Sequence, residues 1–199
     1  TGTTGCGRVG PDTSSSTGAA MRIVIDIQHA GKPDSPRDRG APLGPRSEVW
    51  ATRRLGLAME ELIEVLGHDV FVLRDGFYSD RHKRCDALAP DLYIALHFDA
   101  GIGGKGDRGA VFHWPGSTRG KAYADKVAAH AGAVCPWEVR ALVAEAGKWD
   151  RVRACLAGVK APALLFELGF CDGALGKAWL QDDANLRALG QAVARAVVS

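Results

Sequence analysis

The sequence predicts an α/β fold, a single domain built on a mainly parallel twisted sheet of about six strands with helices on both faces. Three observations carry that expectation. Short apolar runs alternate with longer segments of helical periodicity. The length, 199 residues, suits one such domain better than two. The apolar fraction, 46%, is enough to fill a substantial core.

The elements follow in order. "RIVIDI" (22–27) reads as a buried strand. Residues 47–67 read as a helix, with Ser47 as N-cap and Gly67 as its stop. Within it Val49, Leu55, Met59, Leu62, Ile63 and Leu66 recur at helical spacing. Strands are expected at 68–73, 91–97, 109–114, 152–157 and 162–170, with helices at 118–133 and across 174–198. A Gly-rich loop, "DAGIGGKGDRG", precedes the strand at 109.

Residues 1–20 are mostly Gly, Ser and Thr and read as a flexible tail or a cloning remnant, with the folded unit spanning 21–199. They lack the basic start and apolar run of a signal peptide. No apolar run reaches eighteen residues, so no membrane span is expected. The net charge of +2, with its signs well mixed, gives no footprint for nucleic acid. Five cysteines, Cys6, Cys85, Cys135, Cys155 and Cys171, are widely spaced and form no CxxC pair. That pattern favours reduced thiols, made in a cytosol, over a disulfide framework or a zinc ribbon. Cys171, close behind the strand at 162–170, reads as a small core residue.

The chemistry concentrates at strand ends. His29 closes the first strand and His97 the third. Ligands collect at the carboxyl ends of parallel strands, so the two rings belong at one edge of the sheet. Glu48 begins the first helix nearby. Two imidazoles and one carboxylate form a donor set that leaves a zinc ion an open position. Taken singly, His29 reads as a loop histidine, Glu48 as a helix-start carboxylate and His97 as a hydrogen-bonded strand end. Glu167 is less ordinary, because it interrupts "ALLFELGF", and a carboxylate in a buried strand needs a partner or a use.

In these motifs the chain resembles the zinc-dependent N-acetylmuramoyl-L-alanine amidases of type 3, which include bacterial cell-wall hydrolases and phage lysins. The family's Asp-Pro-Gly-His-Gly-Gly turn corresponds to "DIQHAG", Asp26 to Gly31. Its helix-start Glu corresponds to Glu48 in "SEVW", and its Arg after the second strand to Arg74. A further Arg before the third strand corresponds to Arg81 or Arg84. "DLYIALHFDA" (91–100) and "PALLFELGF" (162–170) match the remaining two motifs, so the resemblance spans about 22–198 with every motif in order. The departures are Gln28 and Ala30 in place of glycines and Asp99 in place of Asn.

The resemblance implies that His29, Glu48 and His97 bind Zn²⁺ and that Glu167 is the catalytic base. It implies cleavage of the amide between the lactyl group of N-acetylmuramic acid and the L-alanine of the stem peptide. Asp26 and Asp99 become candidates for bonds to the histidine ring N–H groups. The loop 99–108 and the pair His113 and Trp114 are expected to border the cleft; Trp114 reads equally as a stacking platform for a sugar and as a core or rim aromatic, and His113 as a substrate contact or, in preference, a spare surface histidine. His68, His82 and His130 read as surface residues. The family pattern allows a regulatory helix that plugs the site. The short, Gly-rich 98–118 segment leaves no room for one, which suits a lysin acting on the wall after release. Peptidoglycan is the expected partner, and a monomer the expected state. Two rival classes stand beside this reading: another zinc amidohydrolase or carboxypeptidase-like enzyme on the same fold, and a non-catalytic wall-binding module.

Overall fold

The computed structural model describes residues 19–35, 37–105 and 107–199. Most of the expected tail, and Cys6 with it, lies outside them. Six strands form the main sheet: β1 (Arg22–Ile27), β4 (Asp69–Leu73), β5 (Leu92–Asp99), β6 (Gly109–His113), β7 (Val139–Val143) and β8 (Ala163–Phe170). Two short strands, β2 (Pro42–Leu43) and β3 (Arg46–Ser47), pair with each other beside it. The helices are α1 (Glu48–Val65), α2 (Tyr78–Leu88), α3 (Thr118–Gly132), α4 (Asp150–Leu156), α5 (Gly176–Trp179) and α6 (Asp183–Val198).

The strand order is β4-β1-β5-β8-β6-β7. The first four run parallel, β6 runs antiparallel to β8, and β7 runs parallel to β6. The sheet is therefore mainly parallel, as expected, but its β6–β7 end is reversed. That reversal decides which ends of the strands meet.

The two faces bury different cores. Ile23, Ile25 and Ile27 of β1, with Leu164, Phe166 and Leu168 of β8, pack under α1, α3 and α6. The opposite face carries Val24, Tyr93, Ala95, Phe112 and Leu165 against the shorter α2 and α4. Because side chains alternate across a strand, Asp26, His97 and Glu167 fall on this second, more thinly covered face.

Two sequence expectations are corrected. The segment 152–157 is not a strand; it lies mostly in helix α4. Val152, Cys155 and Leu156 are buried at helical spacing while Arg151 and Ala154 are exposed. The run is too short for periodicity to separate the two states. The sixth strand is instead β7, an edge strand only half covered, whose apolar pattern is correspondingly faint. Helix α2 went unassigned for a related reason. Its buried residues are Arg81, His82 and Cys85, so no apolar stripe marks it.

Candidate metal centre and catalytic cleft

Each of the three expected ligands arrives from its own element. β1 ends at Ile27, and the chain then turns through His29, whose backbone sits in the left-handed region at φ 61°. That conformation is uncommon for a residue with a side chain, so something must hold it. Arg81, itself buried, does so. Its Nη1 donates to Asp26 Oδ1 and, at 2.8 Å, to the Ile27 carbonyl, and its Nη2 donates to the Ala30 carbonyl. Its Nε donates to the Gly76 carbonyl at 3.0 Å. The guanidinium thus ties down the backbone on both sides of His29.

Glu48 opens α1, where Ser47 caps the helix by accepting from the Trp50 N–H. Its Oε2 accepts from the Ala41 N–H at 2.8 Å and its Oε1 from the Phe98 N–H at 3.2 Å. Gly40, at φ 66°, lies against it so closely that a Cβ there would collide with Oε2. Burial works to raise the Glu48 carboxyl. The hydrogen bond and charge of His97, the charge of His29 and the Ala41 N–H outweigh it and hold the carboxyl below its ordinary value. His97 comes from β5, and its Nδ1 lies 3.0 Å from Glu48 Oε1.

The three converge. His29, Glu48 and His97 each offer one ligand atom, and these atoms all lie within 4.8 Å of one another. The two imidazoles meet edge to face with centroids 5.1 Å apart. His97 Nε2 is buried with no hydrogen-bond partner among the described residues. An orphaned imidazole nitrogen beside a carboxylate already fixed by two N–H groups is a poor arrangement for a core and a good one for a cation. The donor set therefore fits a divalent metal.

Glu167 lies directly across from His97 in the β5–β8 register. Its Oε2 is buried without a partner among the described residues. Burial, followed by the negative charges of Asp99 and Glu48, pushes its carboxyl well above the ordinary carboxylate range. Asp99 is raised as well, by burial first, with the charges of Glu48 and Asp172 adding to it against the Ala100 N–H and Arg108.

Other expected site residues stand elsewhere. Asp26 was expected to bond a histidine ring, but its buried carboxylate takes bonds from Arg81, Gln28 (2.5 Å) and Tyr93 (2.7 Å). Asp99 Oδ1 accepts from the Ala100 N–H at 2.7 Å while the residue lines the cleft. His113 and Trp114 do not border it. Since β6 runs antiparallel to β8, its carboxyl end lies opposite Leu164, away from Glu167. His113 is buried with Nδ1 3.1 Å from the Trp114 carbonyl, and Trp114 packs under Arg153. His82 is buried too, its Nε2 3.0 Å from the Cys155 carbonyl, rather than lying on the surface. Of the two arginines the sequence left open, Arg81 is the buried one; Arg84 is exposed on Asp75.

Asp38 was missed. Its Oδ2 lies 3.0 Å from His29 Nδ1 and 2.8 Å from Lys32 Nζ, and its Oδ1 accepts from the Gly40 N–H at 2.8 Å. It is the carboxylate that orients the His29 ring. Burial would raise it, but Lys32, the Gly40 N–H and His29 hold it far below its ordinary range. Within "KPDSPRDRG" nothing separates it from the neighbouring Asp34.

His29, Glu48, His97 and Glu167 line one cleft of about 1190 Å³ that also takes in Asp99 at the end of β5 and Ala100, Asp107 and Arg108 of the loop after it. Between β5 and β6 the described residues form no helix. Cys85, Cys135, Cys155 and Cys171 are all buried with free thiols. Burial pushes the Cys155 thiol up to about 12, so it offers no ready nucleophile.

A family profile described as N-acetylmuramoyl-L-alanine amidase matches residues 23–199. No curated protein matches the chain in sequence. Among solved structures the chain is similar to the amidase AmiC2 of Nostoc punctiforme, at TM-score 0.76 and 19% identity over 89% of this chain and 95% of that one. The catalytic domain of CwlV, an amidase from Bacillus (Paenibacillus) polymyxa var. colistinus, is similar at 0.75 and 17%, over 89% and 96%. The catalytic domain of the CD27L endolysin, which targets Clostridia difficile, is similar at 0.69 and 21%, over 89% and 97%. At these identities the likeness speaks for the fold.

Proposed function

The chain belongs to the N-acetylmuramoyl-L-alanine amidase family, whose members hydrolyse peptidoglycan, and from that premise we propose a zinc-dependent mechanism carried by His29, Glu48, His97 and Glu167. The observation that carries it is the meeting of three ligand atoms within 4.8 Å of one another, beside a carboxylate with an unpartnered oxygen. The bond cut is the amide between the lactyl carbonyl of N-acetylmuramic acid and the nitrogen of L-alanine.

His29, Glu48 and His97 would hold the metal. When bound, a zinc ion there supplies Lewis acidity, bringing the pKa of a water to about 7, and a positive charge that draws the Glu167 carboxyl back toward ionisation. Glu167 accepts the proton of the attacking water and passes it to the leaving alanine nitrogen. Asp38 fixes the His29 ring, and Arg81 fixes the backbone beneath it. The chain acts on the wall, as a monomer, on the far side of the membrane from the cytoplasm. No described helix is long and apolar enough to cross a membrane.

Incubation with purified sacculi tests the reading. The expected result is loss of turbidity, newly exposed N-terminal alanine and about one zinc per active chain, in line with a three-ligand site. Turnover of small acyl amides without any sacculus cleavage would favour a different zinc amidohydrolase. Binding to sacculi without new N-termini would leave a wall-binding module.

A further inference from the structure

The cleft does not stop at Glu167. It continues across the second face of the sheet, over β8, β6 and β7, where His97, Glu167, Ala110, Phe112, Arg140 and Trp149 all line it. Register explains the layout. His97 lies opposite Glu167, Glu167 opposite Ala110, and Ala110 opposite Arg140. These four form one cross-strand row, and all four residues line the same cleft. Ala110 has only a methyl group, so the row dips into a trough between the carboxylate and the guanidinium. With strands about 4.8 Å apart, the backbone at Arg140 lies roughly 10 Å from that at Glu167. The next row, Leu165, Phe112 and Leu142, makes an apolar floor. Trp149 closes on Phe112 with ring centroids 4.8 Å apart. Arg140 is 67% exposed at its side chain and meets Glu138 through Nη2 at 2.6 Å.

We propose that this arm of the cleft holds the peptide side of the substrate, and that Arg140 binds a carboxylate within the first three residues beyond the scissile amide; the inference rests on the amidase reading above. Reach and chemistry both support it. An extended peptide advances about 3.3 Å per residue, so three residues span the roughly 10 Å between the backbones at Glu167 and Arg140. The floor of Leu165, Phe112 and Leu142 suits methyl and methylene groups but offers nothing to the hydroxyls of a glycan. Beyond that apolar floor the Arg140 guanidinium, held by Glu138 through Nη2, is matched by an acidic peptide, since its planar fork has further N–H groups to pair with a carboxylate. Arg140 is thereby a specificity residue, remote from the bond that breaks.

The test uses wild type and Arg140→Gln on synthetic muramoyl tripeptides that differ only in whether their second- and third-residue carboxylates are free or amidated. Wild type should prefer the acidic peptide. Arg140→Gln should raise its KM roughly ten-fold with kcat changed less than about two-fold, and should abolish the preference. Ala110→Leu, which fills the trough, should lower kcat/KM on both peptides at unchanged zinc content. An unchanged KM in Arg140→Gln, or an equal rise for acidic and amidated peptides, would overturn the assignment of Arg140. Wild type that cleaves neither peptide would instead overturn the amidase reading, and this inference with it.

Discussion

His97 and Glu167 stand directly opposite each other on the neighbouring parallel strands β5 and β8. Each buries a side-chain atom, Nε2 and Oε2 respectively, with no hydrogen-bond partner among the described residues. The proposed metal ligand and the proposed proton acceptor thus sit about one strand spacing apart, on a rigid element, as a water held between them would require. Glu167→Gln keeps the shape of the side chain and removes its basicity. Zinc content should be unchanged, because all three ligands remain, while sacculus cleavage falls roughly 10²–10⁴-fold. Loss of zinc along with activity would make Glu167 a ligand instead, and wild-type cleavage by the variant would end its role as the base.

The same residue should shape the pH dependence of the metal-free protein. Its folded pKa is raised, whereas an unfolded Glu titrates near ~4.3. Above ~4.3 the folded chain therefore binds a proton that the unfolded chain has released. The stability that depends on this proton is complete below ~4.3 and is lost as pH rises toward the folded value. Metal-free Glu167→Gln should melt above metal-free wild type at pH 7, and the gap should close toward pH 4. Parallel melting curves across that range would show that the buried carboxyl carries no such cost.

Asp38 holds the His29 ring, so Asp38→Asn should leave the fold intact and weaken zinc binding by about 10–100-fold. Competition with a chromogenic chelator reads the affinity directly. The Asp38 carboxyl is held well below its ordinary value, so its contribution to stability is present above ~3.9 and lost as pH falls through the folded value. The stability difference between wild type and Asp38→Asn should accordingly shrink in acid. Equal zinc affinity in the two proteins would assign the orientation of His29 to its backbone alone.

Arg81 and Asp26 are both fully buried, and breaking such a pair strands a charge. Arg81→Met should lower the unfolding free energy by about 3–5 kcal/mol. It also removes the donors that hold the Ile27 and Ala30 carbonyls on either side of His29. Zinc affinity of the remaining folded protein should drop as well, measured at a temperature where the variant is still native. A destabilised variant with unaltered zinc affinity would confine Arg81 to a structural part.

Much of the candidate site was legible because it is written in local pattern. The apolar runs of β1, β5 and β8 are continuous, as strands covered on both faces must be. His29 and His97 stand at strand ends, Glu48 at a helix start and Glu167 inside an apolar strand, and only the last lacks an ordinary structural reason when taken singly. What the sequence could not settle is direction and pairing across long separations. Whether β6 runs with or against β8 follows from how distant segments dock, and no residue of "GAVFH" encodes it. That one reversal sends His113 and Trp114 to the far end of the sheet and brings Ala110 and Arg140 into line with Glu167. Likewise Asp26 was a candidate partner for a histidine ring N–H. Alternation along β1 turns it instead to the face where the helix carrying Arg81 packs, and a buried carboxylate pairs with the cation it meets there.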